Sequence, residues 1–117
     1  MLNEIKKALE PFGLPVYYGQ STHKGPDWNY FVFKRSHTKK AGKSGCDFVQ
    51  YYQVAIIHED FIPEGFEFDV IKAVENATGL RLADSDFSYN YTLKNDTDLV
   101  VEFLIIEFAK TRKGCDV

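Results

Sequence analysis

Few residues in this sequence stand at the spacings that chemistry requires. Gly42-Lys43-Ser44 matches the end of the phosphate-binding pattern G-x-x-x-x-G-K-S/T. The first glycine of that pattern would fall at His37, and the segment from Asp47 onward reads as a strand. A phosphate-binding loop needs a helix there, because the helix N-terminus faces the phosphates. We therefore interpret this tripeptide as part of a flexible basic loop.

Metal ligands and nucleophiles are scattered along the chain. His23, His37 and His58 form no H-x-H or H-x-x-x-H pair, and neither cysteine has a C-x-x-C partner. A zinc site would have to collect its ligands from distant segments. A disulfide between Cys46 and Cys115 is disfavoured, because the N-terminus lacks the uninterrupted apolar core of an export signal.

The acidic residues show no catalytic or metal-binding arrangement. Asn95, Asp96 and Asp98 resemble part of a calcium loop without its glycine and terminal glutamate, and hairpin loops use such residues for local hydrogen bonds. Glu102 and Glu107 are an odd number of residues apart in a predicted strand, so they point to opposite faces. The sequence thus predicts no catalytic residue, no metal ligand and no cofactor, and we expect a protein that is not an enzyme.

The elements that would position these residues predict an α+β fold. Apolar residues at helical spacing predict helices at 2–12 and 66–78, which glycines terminate. Five strands are predicted, at 16–18, 28–35, 48–58, 87–93 and 99–109. The order α-β-β-β-α-β-β predicts one domain over residues 1–117, with both helices packed on a mixed or mainly antiparallel sheet of four to five strands. We expect residues 36–46 to be a mobile loop in an isolated subunit and residues 110–117 a flexible tail. The residues expected to be mostly buried are Leu9, Phe12, Tyr30, Val32, Val54, Ile56, Val70, Ile71, Val74, Val101 and Phe103.

The strands carry more apolar surface than two short helices can cover. Residues 28–35 and 99–109 are apolar on both faces. Either the sheet curls on itself or another subunit covers its second face, and the second alternative would mean oligomerisation. The longest apolar run, Val54 to Ile57, is far shorter than the about 20 residues of a membrane span.

Charge is unevenly distributed, although the net charge is only −3. One stretch is purely basic and one is purely acidic. They flank opposite ends of the strand at 48–58, and they are either solvated loops or complementary patches that meet across a subunit contact. The candidate interface residues are Lys34, Arg35, Lys39, Lys40 and Lys43 in the basic stretch, and Glu59, Asp60, Glu64, Glu67 and Asp69 in the acidic stretch.

The segment from Trp28 to Arg35 also combines aromatic and basic residues. Exposed aromatics on a strand can stack nucleic-acid bases. An RNA-recognition motif needs β-α-β-β-α-β order and a glycine-bearing strand, and this chain has neither. We interpret these aromatics as core residues.

The layout as a whole resembles the tail terminator, or tail completion, proteins of long-tailed bacteriophages and prophages. The resemblance rests on the N-terminal amphipathic helix, the Val16–Gly19 strand, the aromatic strand Tyr30–Phe33, the tyrosine-rich strand Tyr51–Val54 and the helix ending in Thr78-Gly79. It covers nearly the whole chain but includes no single diagnostic motif.

The resemblance implies a structural role. Such proteins form hexameric rings that cap the tail tube and present a surface to the head-side connector, without enzymatic activity or cofactor. The implied partners are copies of the chain itself, a tail-tube protein and a connector protein, with DNA passing through the ring. The implied location is the host cytoplasm during assembly and then the virion. The alternatives are another neck component, such as a head-closure or adaptor protein, a nucleic-acid-binding module that uses residues 34–43, and a small enzyme with a scattered site.

Overall fold

The computed structural model describes residues 1–41 and 47–113 and shows an α+β fold. Helix α1 is followed by a short 3-10 turn, and six strands form one mixed sheet. The elements are α1 (Leu2–Leu9), the 3-10 turn (Glu10–Phe12), β1 (Val16–Tyr18), β2 (Tyr30–Ala41), β3 (Asp47–Glu59), α2 (Phe66–Thr78), β4 (Arg81–Leu82), β5 (Tyr89–Leu93) and β6 (Val100–Lys113). The predicted fold class is confirmed, and β4 is a strand that the sequence analysis missed. No described helix has both the length and the apolar composition needed to cross a membrane.

The sheet is built around its two longest strands. Its order is β1-β2-β3-β6-β4, and β5 pairs with β6 beside β4. Only β1 and β2 are parallel. Since β3 pairs with β2 and β6 over nearly its full length, it is the central strand.

Both helices pack on one face of this sheet. Helix α1 buries Ile5, Ala8 and Leu9, and α2 contributes a second apolar stripe before it ends at Gly79, whose φ of 76° is readily adopted by glycine. A single core joins the two helices to β2, β3 and β6. The core residues from the sheet are Phe31, Phe33, Tyr52, Val54, Ile56, Leu104, Ile106 and Phe108.

The second and last strands are longer than the sequence analysis predicted. Strand β2 continues through residues 36–41, and β6 continues through residues 110–113. The predictions of a loop and a flexible tail are therefore wrong for these residues, because the first half of β3 pairs with both segments. The rest of the predicted loop, with Lys43 and Cys46, and the rest of the predicted tail, with Cys115, lie outside the described residues.

These extensions form an arm, which we define as 36–41 of β2, 47–51 of β3 and 109–113 of β6. No described arm residue belongs to the buried core. The arm gives the molecule an elongated shape, with extents of 53 × 26 × 24 Å. Its radius of gyration of 15.7 Å exceeds the about 13 Å of a compact domain of this length.

Candidate assembly surface

The sheet face opposite the helices is apolar and only partly covered. Val32, Ala55, Ile57 and Phe103 alternate with core residues and are half-buried, whereas their core neighbours are almost fully buried. Ile105 on this face is 43% exposed. Of the two alternatives left open by the sequence, the described residues show a sheet that does not curl over its own second face.

This uncovered face accounts for most of the predicted core residues that are not buried. Seven of the expected residues are buried: Leu9, Val54, Ile56, Val70, Ile71, Val74 and Val101. Tyr30, Val32 and Phe103 are only half-buried, because they point away from the helices. Phe12 is half-buried at the core's edge, where its ring centroid lies 5.9 Å from that of Phe31.

The basic candidates lie along the β2 side of the arm and just before it. Lys34, Arg35, Lys39 and Lys40 are all exposed. Strand β1 pairs only with residues 31–33 of β2, so in the described chain no strand covers the outer edge of β2 beyond them. Lysines along such an edge hinder uncontrolled strand pairing with other chains.

A bulge between Arg35 and His37 sets which face each arm side chain occupies. Arg35 lies opposite Tyr52 on the helix side, while His37 lies opposite Tyr51 on the other side, with ring centroids 4.3 Å apart. Lys40 returns to the helix side of the sheet. An inserted residue of this kind shifts the alternation of all residues that follow it.

The structure adds two basic residues that the sequence analysis had assigned to a tail. Lys110 and Arg112 of β6 share the helix-side face of the arm with Lys40, and Arg35 lies on the same face just before the arm. The Arg112 Nε donates a hydrogen bond to Gln50 Oε1. The alternation of Phe108, Lys110 and Arg112 with smaller residues was the sequence signal for this strand extension.

At the opposite end of β3, three acidic candidates are exposed and two are held by contacts within the subunit. Asp60, Glu64 and Asp69 are exposed. The Glu59 side chain is only 23% exposed, and its Oε1 accepts hydrogen bonds from Lys94 Nζ at 2.6 Å and from the Trp28 backbone N–H at 3.2 Å. The Lys94 hydrogen bond is the main cause of a lowered pKa for the Glu59 carboxyl. The negative charge of Glu59 is therefore paired with Lys94 of its own subunit.

Glu67 is buried, with 4% of its surface exposed. Its Oε2 accepts a hydrogen bond from the Tyr89 hydroxyl at 2.8 Å, and this bond raises the pKa of Tyr89. Glu102, which is 7% exposed, accepts a hydrogen bond from the Ile62 backbone N–H at 2.7 Å, and its carboxylate is the main cause of a raised pKa for Tyr91. Glu67 and Glu102 are far apart along the chain, so the sequence does not indicate that they share a site.

Glu107 lies on the other sheet face, as its odd separation from Glu102 predicted. Its Oε2 accepts hydrogen bonds from Gln53 Nε2 and Ser36 Oγ, each at 3.3 Å. The two glutamates therefore do not act together.

The described residues offer no metal centre. Across residues 1–41 and 47–113, no group of three or more His, Cys, Asp or Glu side chains could hold an ion. Gly42-Lys43-Ser44 lies outside the described residues, but the element that follows it is the strand β3 rather than a helix.

No protein-family model matches the chain, and no curated protein sequence matches it.

Proposed function

We propose that this chain is a structural subunit that assembles with copies of itself into a ring, and that the ring terminates the tail tube of a bacteriophage or prophage. The uncovered apolar face of the sheet is the observation that carries the proposal of self-assembly. The tail, the connector and the hexameric stoichiometry rest on the resemblance in sequence layout. In this role the protein works in the host cytoplasm during assembly and then in the virion.

The size of the uncovered face supports an interface. Outside the arm, β2, β3 and β6 are on average about eight residues, or about 26 Å, long, and at a spacing of about 4.8 Å they present an area of roughly 370 Å². A stable protein interface buries about 800 Å² on each partner. The sheet face outside the arm therefore supplies somewhat less than half of the required contact, and the arm and the charged ends would supply the rest.

The asymmetry of the molecule favours a ring over a two-fold dimer. Lys39 and Lys40 lie at one end of β3 and the exposed acids follow its other end, about 40 Å away along a strand of this length. Contacts that join unlike ends of identical subunits are head-to-tail, and they close into a ring when the rotation between neighbours allows it.

Native mass measurement of the full chain tests this proposal. We expect a species of six subunits, and we expect Ile105→Glu to give folded monomers because it places a charge on the uncovered face. Asn76→Glu, which adds the same charge at an exposed position of α2, is the matched control and should assemble as the wild type does. A wild-type chain that stays monomeric at high concentration would contradict the proposal, as would an Ile105→Glu variant that assembles normally.

A second candidate function is nucleic-acid binding, which is favoured by four basic side chains on the helix-side face of the sheet: Lys40, Lys110 and Arg112 in the arm, and Arg35 just before it. If the Ile105→Glu monomer binds duplex DNA with an affinity that falls steeply with salt, and if Lys40→Glu with Arg112→Glu abolishes this binding, the nucleic-acid module is supported. Weak, non-specific binding that these substitutions do not change would exclude it.

A further inference from the structure

A cavity of about 330 Å³ lies between the start of α2, strand β5 and the first residues of β6. Two buried carboxylates, Glu67 and Glu102, lie in its wall beside the rings of Tyr89, Tyr91 and Phe61. Tyr91 and Phe61 are each 63% exposed and flank the cavity. The wall therefore combines negative charge with aromatic surface.

Within residues 1–41 and 47–113, no cationic side chain forms an ion pair with either carboxylate. The ion pairs of the described chain join the N-terminal amine to Glu4 and Lys94 to Glu59, and neither involves Glu67 or Glu102. Glutamate is almost never buried without a partner of opposite charge, because removing a carboxylate from water is costly. Among the described residues their hydrogen bonds come from neutral donors: the Tyr89 hydroxyl donates to Glu67 Oε2, and the Ile62 backbone N–H donates to Glu102 Oε1 at 2.7 Å.

One oxygen of Glu67 is still available. Glu67 Oε2 is taken by Tyr89, whereas Oε1 has no hydrogen-bond partner among the described residues. Every fully enclosed polar side-chain atom of the described chain has a partner. Glu67 Oε1 is therefore not fully enclosed and is open to the cavity. The residue as a whole is only 4% exposed, that is, 96% buried.

We infer that this cavity receives a lysine ammonium group from the arm of a neighbouring copy, Lys39 or Lys40. This inference rests on the proposed self-assembly and specifies its contact. An ammonium group would form charge-assisted hydrogen bonds with the carboxylates and would lie against the aromatic rings, which attract cations.

The chain's own arm cannot supply this group. Lys40 lies opposite Phe48 and Glu102 lies opposite His58, which places ten residues of β3, or about 33 Å, between them. Lys39 and Lys40 are exposed, and no described acidic side chain forms an ion pair with them. The complementary groups therefore lie at opposite ends of the subunit, as a head-to-tail contact requires.

Neutral isosteres test the inference. Glu67→Gln together with Glu102→Gln should leave the monomer folded by circular dichroism, since the substitution removes buried charge. It should weaken subunit association roughly thirtyfold or more, as loss of one partner from a buried charge pair does. Asp60→Asn together with Asp69→Asn, which neutralises two exposed acids outside the cavity wall, is the matched control and should change association less than about threefold. If both changes weakened association equally, the subunits would be attracted by their overall charge and not by a specific contact in the cavity, and the inference would be overturned.

Crosslinking of the wild-type chain gives a second readout that does not depend on the variants. Assembly of a mixture of ¹⁴N- and ¹⁵N-labelled chains, followed by carbodiimide coupling, should yield a mixed-isotope peptide that joins Lys39 or Lys40 to Glu64, Glu67 or Glu102. Lys39→Gln with Lys40→Gln should abolish it. If the wild type does not assemble, the proposed function and this inference both fail. If it assembles but gives no such crosslink, and if the glutamine variant assembles normally, only the inference fails.

Discussion

Replacing Lys94 with methionine should destabilise the subunit, because this side chain joins three segments. Its Nζ donates hydrogen bonds to Glu59 Oε1 at 2.6 Å and to the carbonyl oxygen of Pro26. It thereby ties the loop before β6 to the end of β3 and to the loop before β2. Methionine keeps the apolar stem and removes only the charge and its hydrogen bonds.

The expected cost lies between those of an exposed and a buried ion pair. The Lys94 and Glu59 side chains are 17% and 23% exposed. Exposed pairs contribute about 0–1 kcal/mol, and hydrogen bonds to charged groups contribute about 1.5–3 kcal/mol. We therefore expect Lys94→Met to cost about 1–2 kcal/mol at pH 7, which corresponds to a fall in Tm of roughly 4–8 °C for a domain of this size.

The cost should depend on pH in a defined direction. The pKa of Glu59 is lowered from 4.5 in the folded state, so its contribution to stability is present above about pH 4.5 and is lost as pH falls through the lowered value. The difference between wild type and Lys94→Met should therefore shrink toward acid pH.

Urea unfolding in the monomeric Ile105→Glu background measures this difference without the contribution of assembly. A double-mutant cycle with Glu59→Gln should give a coupling free energy that accounts for most of the cost, while Lys72→Met on the exposed side of α2 serves as the control. A cost below about 0.3 kcal/mol at pH 7, or a difference that is constant down to pH 3, would refute the reasoning.

Two further predictions address the sheet. Ile56→Ala should cost about 2–5 kcal/mol in unfolding free energy, because Ile56 is fully buried beneath the helices. Ile105→Ala should cost the monomer less than about 1 kcal/mol, and similar costs for the two variants would mean that the two sheet faces are wrongly assigned. Hydrogen exchange of residues 37–41, followed by NMR, should show alternating protected and fast amides, because this part of β2 has a partner only on the β3 side; uniformly fast exchange would show that the strand ends before the arm.

The elements that the sequence predicted well are those encoded by side-chain patterns. Helix α2 has the predicted bounds, because its apolar periodicity ends at a glycine. The central part of β3 was equally clear from its alternation. Residues 36–41 lack such a pattern, and their strand conformation depends on backbone hydrogen bonds to β3, which their side chains do not reveal.

The exposure of the candidate interface residues was predicted less well from the sequence, because the burial of a charged side chain depends on residues that are distant along the chain. Glu67 lies within an acidic run and was therefore expected at the surface. Its burial depends on Tyr89, 22 positions away, and its neighbour Glu102 comes from a different strand. Tyr30, Val32 and Phe103 were expected in the core because an apolar strand does not indicate which of its faces the helices will cover.

The position of β6 has a consequence for synthesis on the ribosome. This strand comes last among the described elements, yet it lies inside the sheet, where it is the partner of β3, β4 and β5. Until it has left the exit tunnel, β4 and β5 have no strand to pair with and Leu104, Ile106 and Phe108 are missing from the core. The nascent chain therefore cannot complete its fold until residues 100–113 have emerged, which keeps unfinished copies from presenting a finished sheet face to one another.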